Sequence, residues 1–209
     1  MEALYILLGW LLGILSPGIT KRISDYYKKV ALERIIISEL KDVKIRLAGI
    51  PMRVHPAYGT LDRGILKWVQ EQTHDFVDFM SEDYDVERFT AVNLEDDNIV
   101  AGIIRDWNRD GIRDNPAFHF KKMEISIIDS NLINAEILDN NFLTKLLEIK
   151  FQIKTYNEEV QSVHEYLKMT FDSNMTDDNH RIVRQEIRNK NYFISEKAIY
   201  IVKKINHII

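Results

Sequence analysis

The chain has 209 residues, with 28 Lys and Arg against 32 Asp and Glu, and a formal charge of −4. That balance argues against a nucleic-acid partner, since dedicated nucleic-acid proteins are usually basic. Cysteine is absent, which excludes disulfide frameworks, thiolate zinc sites and thiol catalysis, and the few Pro and Gly argue against long disordered linkers.

Residues 3–19, from Ala3 to Ile19, carry no charge. A membrane span needs roughly 20 apolar residues, with a lower limit near 17, so the run is read as an uncleaved transmembrane anchor over 1–20. A signal peptide fits less well, because it needs a basic start and a small-residue cleavage site. Basic residues follow the run directly. By the positive-inside rule the N-terminus is expected outside and the C-terminal body in the cytoplasm, at an inner membrane. Lys21, Arg22, Lys28 and Lys29 are candidates for lipid headgroup contact. Gly9, Gly13, Ser16 and Thr20 recur at helical spacing as one stripe of small residues. They are candidates for helix–helix association in lipid, as in a Gly-x-x-x-Gly pair.

Ser16-Pro17 reads as a cap and a first-turn proline opening a long juxtamembrane helix over 17–48. Ile19, Ile23, Tyr26 and Val30 make one seam on it. Ile36, Leu40, Val43 and Leu47 make another, out of phase with the first. Gly49 and Pro51 end the helix, and residues 50–60 read as a loop rich in breakers. Shorter helices are expected within 60–128: one over about 61–80 capped by Thr60, one starting near Asn93 and ending at Asp110-Gly111, and one opening at Asn115-Pro116. The last stretch half-fits a strand, and helix is preferred. Phe142, Leu146, Ile149, Ile153, Tyr156, Val160, Val163 and Leu167 alternate spacings of four and three, a heptad seam on a helix over 140–172 capped by Asp139 or Asn140. A final helix spans 177–207, with Asn189–Asn191 as a candidate break. The expected fold is all-α: a single N-terminal transmembrane helix followed by an elongated helical bundle (21–209) with long antiparallel helices. Packing within one chain is the preferred use of the 142–167 seam, and pairing of two chains is the alternative.

Four clusters could carry chemistry. Asp106, Asn108 and Asp110, then Gly111 and Asp114, place oxygens at the alternating positions of a calcium loop, with Gly at the sharp turn. The segment resembles an EF-hand loop. It departs from that pattern at Ala117, where a bidentate Glu should stand, and at Arg113, where an apolar residue is usual. The resemblance makes calcium the one candidate ligand; no other cofactor is expected. Arg113 and His119 have the spacing of the active pair of HEPN ribonucleases, which they resemble. That resemblance implies a helical, often dimeric nuclease, but Pro116 stands between the two residues. In His74-Asp75-x-x-Asp78, helical spacing would place His74 and Asp78 on one face around a metal, although solvated surface acids are the plainer reading. Arg181, Arg184 and Arg188 share a basic helical face, with Lys190 adjacent, diluted by Glu186 and Asp177-Asp178. Phosphate-binding and nucleophile-elbow motifs are missing.

The sequence therefore points to a non-enzymatic, membrane-anchored interaction or scaffold protein. It would act by self-association or by binding a protein partner, with the bilayer as its other partner. By analogy alone, it is similar in layout to anchored accessory proteins of bacterial defence and stress systems. A membrane-tethered HEPN-like ribonuclease and a calcium-responsive signalling module are the alternatives.

Overall fold

The computed structural model describes residues 2–73, 94, 96–111, 118, 120–131 and 136–209. These residues fold as helices joined by short irregular segments. In chain order they are α1 (Glu2–Ala48), α2 (Ile50–Ala57), α3 (Arg63–Thr73), α4 (Asp97–Gly111), α5 (Ser126–Asn131), α6 (Asn140–Met169) and α7 (Asp177–Asn206).

The α6–α7 hairpin is the frame. Asp139 caps α6 by accepting from the Asn141 N–H at 2.8 Å, and Thr176 caps α7 by accepting from Asn179. The heptad positions Leu146, Ile149, Ile153, Tyr156, Val160 and Val163 are all buried. They face the α7 positions Ile194, Ala198, Ile201, Val202 and Ile205 in one core. Cross-helix pairs fix the register as antiparallel: Lys204 to Glu148 at 2.7 Å, Lys197 to Gln152 at 3.0 Å and Lys190 to Glu159 at 2.8 Å. The seam is thus used inside one chain. Asn189–Asn191 do not interrupt α7. Asn191 is fully buried and donates to the Tyr58 hydroxyl at 2.8 Å, so its amide has a partner inside the bundle.

α1 is a single helix that continues through Pro17. The proline removes one helical hydrogen bond without ending the helix. At 1.5 Å per residue α1 is about 70 Å long. Its second seam, Ile36, Leu40, Val43 and Leu47, joins the α6–α7 core. On its N-terminal part the described side chains Trp10, Ile19, Ile23, Tyr26 and Tyr27 are exposed. Among the described residues no helix is long and apolar enough to cross a membrane, so the transmembrane helix expected over 1–20 has no support there.

Three local expectations are corrected. Residues 50–57 are helical rather than a loop. Pro51 falls in the first turn, where an N–H is not needed, and Ile50, Met52, Val54 and Ala57 are buried. The turn comes at Gly59, whose φ of 68° is left-handed and favours glycine. Thr60 does not cap α3. Asp62 does, accepting from the Ile65 N–H at 2.8 Å. Residues 120–125 are neither helix nor strand. They form a strap over α6, where the Asn157 amide accepts from Met123 N–H at 2.8 Å and donates to Met123 C=O at 2.9 Å. A smaller core of Met52, Leu61, Leu66, Val69 and Val100 joins α2, α3 and α4 into a lateral lobe.

Candidate functional site

Helix α1 changes environment along its length. Ile36 and Leu40 are 1% and 0% exposed, whereas Trp10, Ile19, Ile23, Tyr26 and Tyr27 are 53–68% exposed. Gly9, Gly13, Ser16 and Thr20 lie on this same arm and are exposed. A side-chain carbon added at Gly9 or Gly13 would meet nothing within 4 Å, so no neighbouring element of this chain requires those glycines. Thr20 donates to the Ser16 carbonyl at 2.9 Å, a back-bond that keeps a hydroxyl satisfied on a helix face. Lys21, Arg22 and Lys28 are exposed, and Lys29 pairs with Glu33 at 3.7 Å. The small-residue stripe and the basic residues thus occupy one projecting arm. Among the described residues, no other element covers the exposed apolar side chains of this arm.

A second cluster joins α2 to α7. His55 Nε2 lies 3.3 Å from Ser195 Oγ, and His55 Nδ1 lies 3.1 Å from Thr60 Oγ1. The Thr60 hydroxyl lies 3.0 Å from the Tyr192 hydroxyl. The Arg188 guanidinium sits 5.0 Å from the Tyr58 ring centre and 6.0 Å from that of Tyr192, a cation–π distance. Ser195 and His55 have the chemistry of a nucleophile and a base. But Ser195 is fully buried in the middle of a helix, and the far ring nitrogen of His55 meets a hydroxyl where a triad has a carboxylate. The cluster is a polar clasp holding α2 on α7. Sequence reasoning missed it, because its partners are far apart in the chain.

Burial holds the His55 imidazole below its ordinary pKa of 6.5, against the opposing pull of Asp62, of the Thr60 contact and of Glu196. A base with a lowered folded-state pKa binds fewer protons folded than unfolded. Stability therefore rises with pH across the window from the folded value up to 6.5. The expected result is that His55 lowers unfolding free energy as the pH falls below about 6.5, and that His55→Gln flattens this part of the profile. Urea titrations at stepped pH measure it.

The other predicted groups fall apart or lie outside the described residues. Asp106, Asn108 and Asp110 are on α4, and alternate residues of a helix point to opposite sides. Asn108 is held on Leu61, accepting from its N–H and donating to its carbonyl, both at 2.9 Å. Asp106 and Asp110 contact Arg109. These three oxygens do not converge as an EF-hand loop requires, and Asp114 lies outside the described residues. So do Arg113, His119, His74, Asp75 and Asp78. Among the described residues no three His, Asp or Glu side chains are grouped to hold a metal. Arg181 pairs with Asp178 at 3.8 Å while Arg188 covers Tyr58, so the basic face of α7 is divided. An open groove of about 770 Å³ runs between the 122–129 segment and α6, with Lys122, Lys150 and Lys154 opposite Glu124, Asp129 and Glu158. Its charges of both signs select no ligand class. No family model, no curated protein and no solved structure matches the chain.

Proposed function

We propose that this chain is a non-enzymatic helical interaction protein held at a membrane by the N-terminal arm of α1. Its bundle would lie on the cytoplasmic side of an inner membrane, with the N-terminus outside. The observation that carries this reading is the arm itself: Trp10 and Ile19 within the charge-free run at 3–19, and Ile23 just beyond it, are exposed and covered by none of the other described elements. Water is a poor solvent for such a surface, and a helix apolar all round belongs in lipid or against protein.

The run of 17 residues spans about 26 Å as a helix, a few ångströms less than a hydrocarbon core of about 30 Å. Local thinning of the bilayer or association between helices accommodates such a mismatch. Lys21, Arg22, Lys28 and Lys29 then stand at headgroup depth, each worth about 1 kcal/mol beside anionic lipid. Tyr26 and Tyr27 suit the same depth, where amphipathic rings collect.

Alkaline carbonate extraction of membranes from expressing cells tests the proposal. The protein is expected to stay in the pellet, and Gly13→Asp with Leu11→Asp, which charges the run, is expected to release it. Release of the unmodified protein would overturn the reading.

A further inference from the structure

Between the charge-free run and the bundle, α1 is amphipathic with its apolar side open. Ile23 and Tyr27 are more than half exposed, and Val30 is half-buried. Counted back along the unbroken helix in steps of three and four, these residues fall in line with Thr20, Ser16, Gly13 and Gly9. The seven positions form one heptad seam with Gly13, Thr20 and Tyr27 at a and Gly9, Ser16, Ile23 and Val30 at d. An exposed a/d line on a long helix is the pattern of a helix lacking its partner.

The charge pattern suits a second copy of the same arm. Lys21 and Lys28 occupy position b, Arg22 and Lys29 position c, and Asp25 position f. All five point away from the seam. The flanking e and g positions between residues 16 and 31 are Pro17, Ile19, Ser24, Tyr26 and Ala31, none of them charged. Two identical arms can therefore meet side by side in parallel without like charges across the contact, although the arm has more basic than acidic residues. Hydrocarbon cannot cover this part, because its charges belong in water or among headgroups. The inner seam of α1, from Ile36 to Leu47, is buried in the bundle, whereas the outer seam has no partner among the described residues.

We infer that the occupant of the outer seam is the α1 arm of a second copy of this chain, paired in parallel from Gly9 to Val30. The glycines let the two helices approach closely in the apolar part. Ile23, Tyr27 and Val30 extend the contact into the headgroup and aqueous layers. This partner rests on the proposed membrane attachment, which sets both copies in one orientation. The unpaired face of Ile19, Ile23 and Tyr27 stands independently of it.

Because the chain has no cysteine, single substitutions report on pairing without background. Ile23→Cys and Tyr27→Cys lie on the seam; Asp25→Cys and Lys28→Cys lie off it. Full-length variants in membranes, oxidised with copper phenanthroline, are expected to give disulfide-linked dimers at 23 and 27 and none at 25 and 28. Adding Tyr27→Arg to Ile23→Cys is expected to abolish its dimer. No dimer at any position, or equal dimer at all four, would overturn the inference. Carbonate extraction of the same samples separates the two claims. Seam-specific dimers in extractable protein uphold the pairing and sink the membrane reading, whereas monomers that resist extraction do the reverse.

Discussion

Replacing Tyr156 with Ala is expected to destabilise the bundle by about 4 kcal/mol, since truncating a large buried aromatic removes its transfer free energy and leaves a cavity. Tyr156 is among the largest fully buried side chains and sits at the centre of the heptad seam. Its hydroxyl also donates to the Lys121 carbonyl at 3.3 Å, and burial pushes the phenol above its ordinary pKa. Tyr156→Phe keeps the ring and loses only that long hydrogen bond, so a cost of about 1 kcal/mol or less is expected. Urea unfolding of the full chain in mild detergent separates the two. A total stability of about 5–15 kcal/mol is usual for a domain, so the alanine variant removes a large share. Equal, small effects of both variants would mean that the α6 seam is not the core.

Glu39→Ala is expected to cost about 2 kcal/mol, because two amide donors lose their acceptor at once. The Glu39 carboxylate reaches across from α1 and accepts from the Ile127 and Ile128 N–H groups at 2.9 and 2.8 Å. These are first-turn groups of α5, which have no partner within their own helix. A carboxylate there also complements the positive end of the helix. Glu39→Gln keeps one acceptor oxygen and is expected to recover part of the loss. Hydrogen exchange at residues 126–131 gives the local readout: faster exchange in the alanine variant is expected, and unchanged exchange would show that Glu39 does not hold α5.

The heptad seam from Phe142 to Leu167 could be read directly, because alternating spacings of four and three admit one geometry and the cap Asp139 is a local signal. The same holds for the α1 seam at Ile36–Leu47. The segment at 50–60 misled because Pro51, Pro56 and Gly59 read as breakers. Pro51 lies where a helix tolerates proline, and burial of Met52 and Val54 outweighs the cost of Pro56. Asn191 misled for a related reason: the Tyr58 hydroxyl that accepts from its amide NH2 is far away in sequence.

The arm was legible as composition, since charge and apolar content need no tertiary contact. Two things about it were not. Only the packed bundle reveals which of the two α1 seams is left open, and only an unbroken helix through Pro17 puts Ile23, Tyr27 and Val30 in register with Gly9 and Gly13. The oxygens of Asp106, Asn108 and Asp110 had the spacing of a calcium loop, but spacing cannot distinguish a loop, where alternate side chains converge, from a helix, where they diverge. The clasp of His55 on Ser195 depends on α2 docking on α7, a contact across 140 positions that leaves no local trace.

The central claim is that the N-terminal arm of α1 is the surface through which this protein meets a membrane. Its most direct test is the depth of Trp10. A nitroxide attached at Trp10→Cys in the full-length protein, reconstituted in vesicles of mixed neutral and anionic lipid, reports contact with lipid-dissolved oxygen against a water-soluble nickel quencher. Oxygen contact is expected at position 10, with nickel contact for the same label at Ser38→Cys on the bundle side of α1. Nickel contact at both positions would place the arm in water and contradict the account.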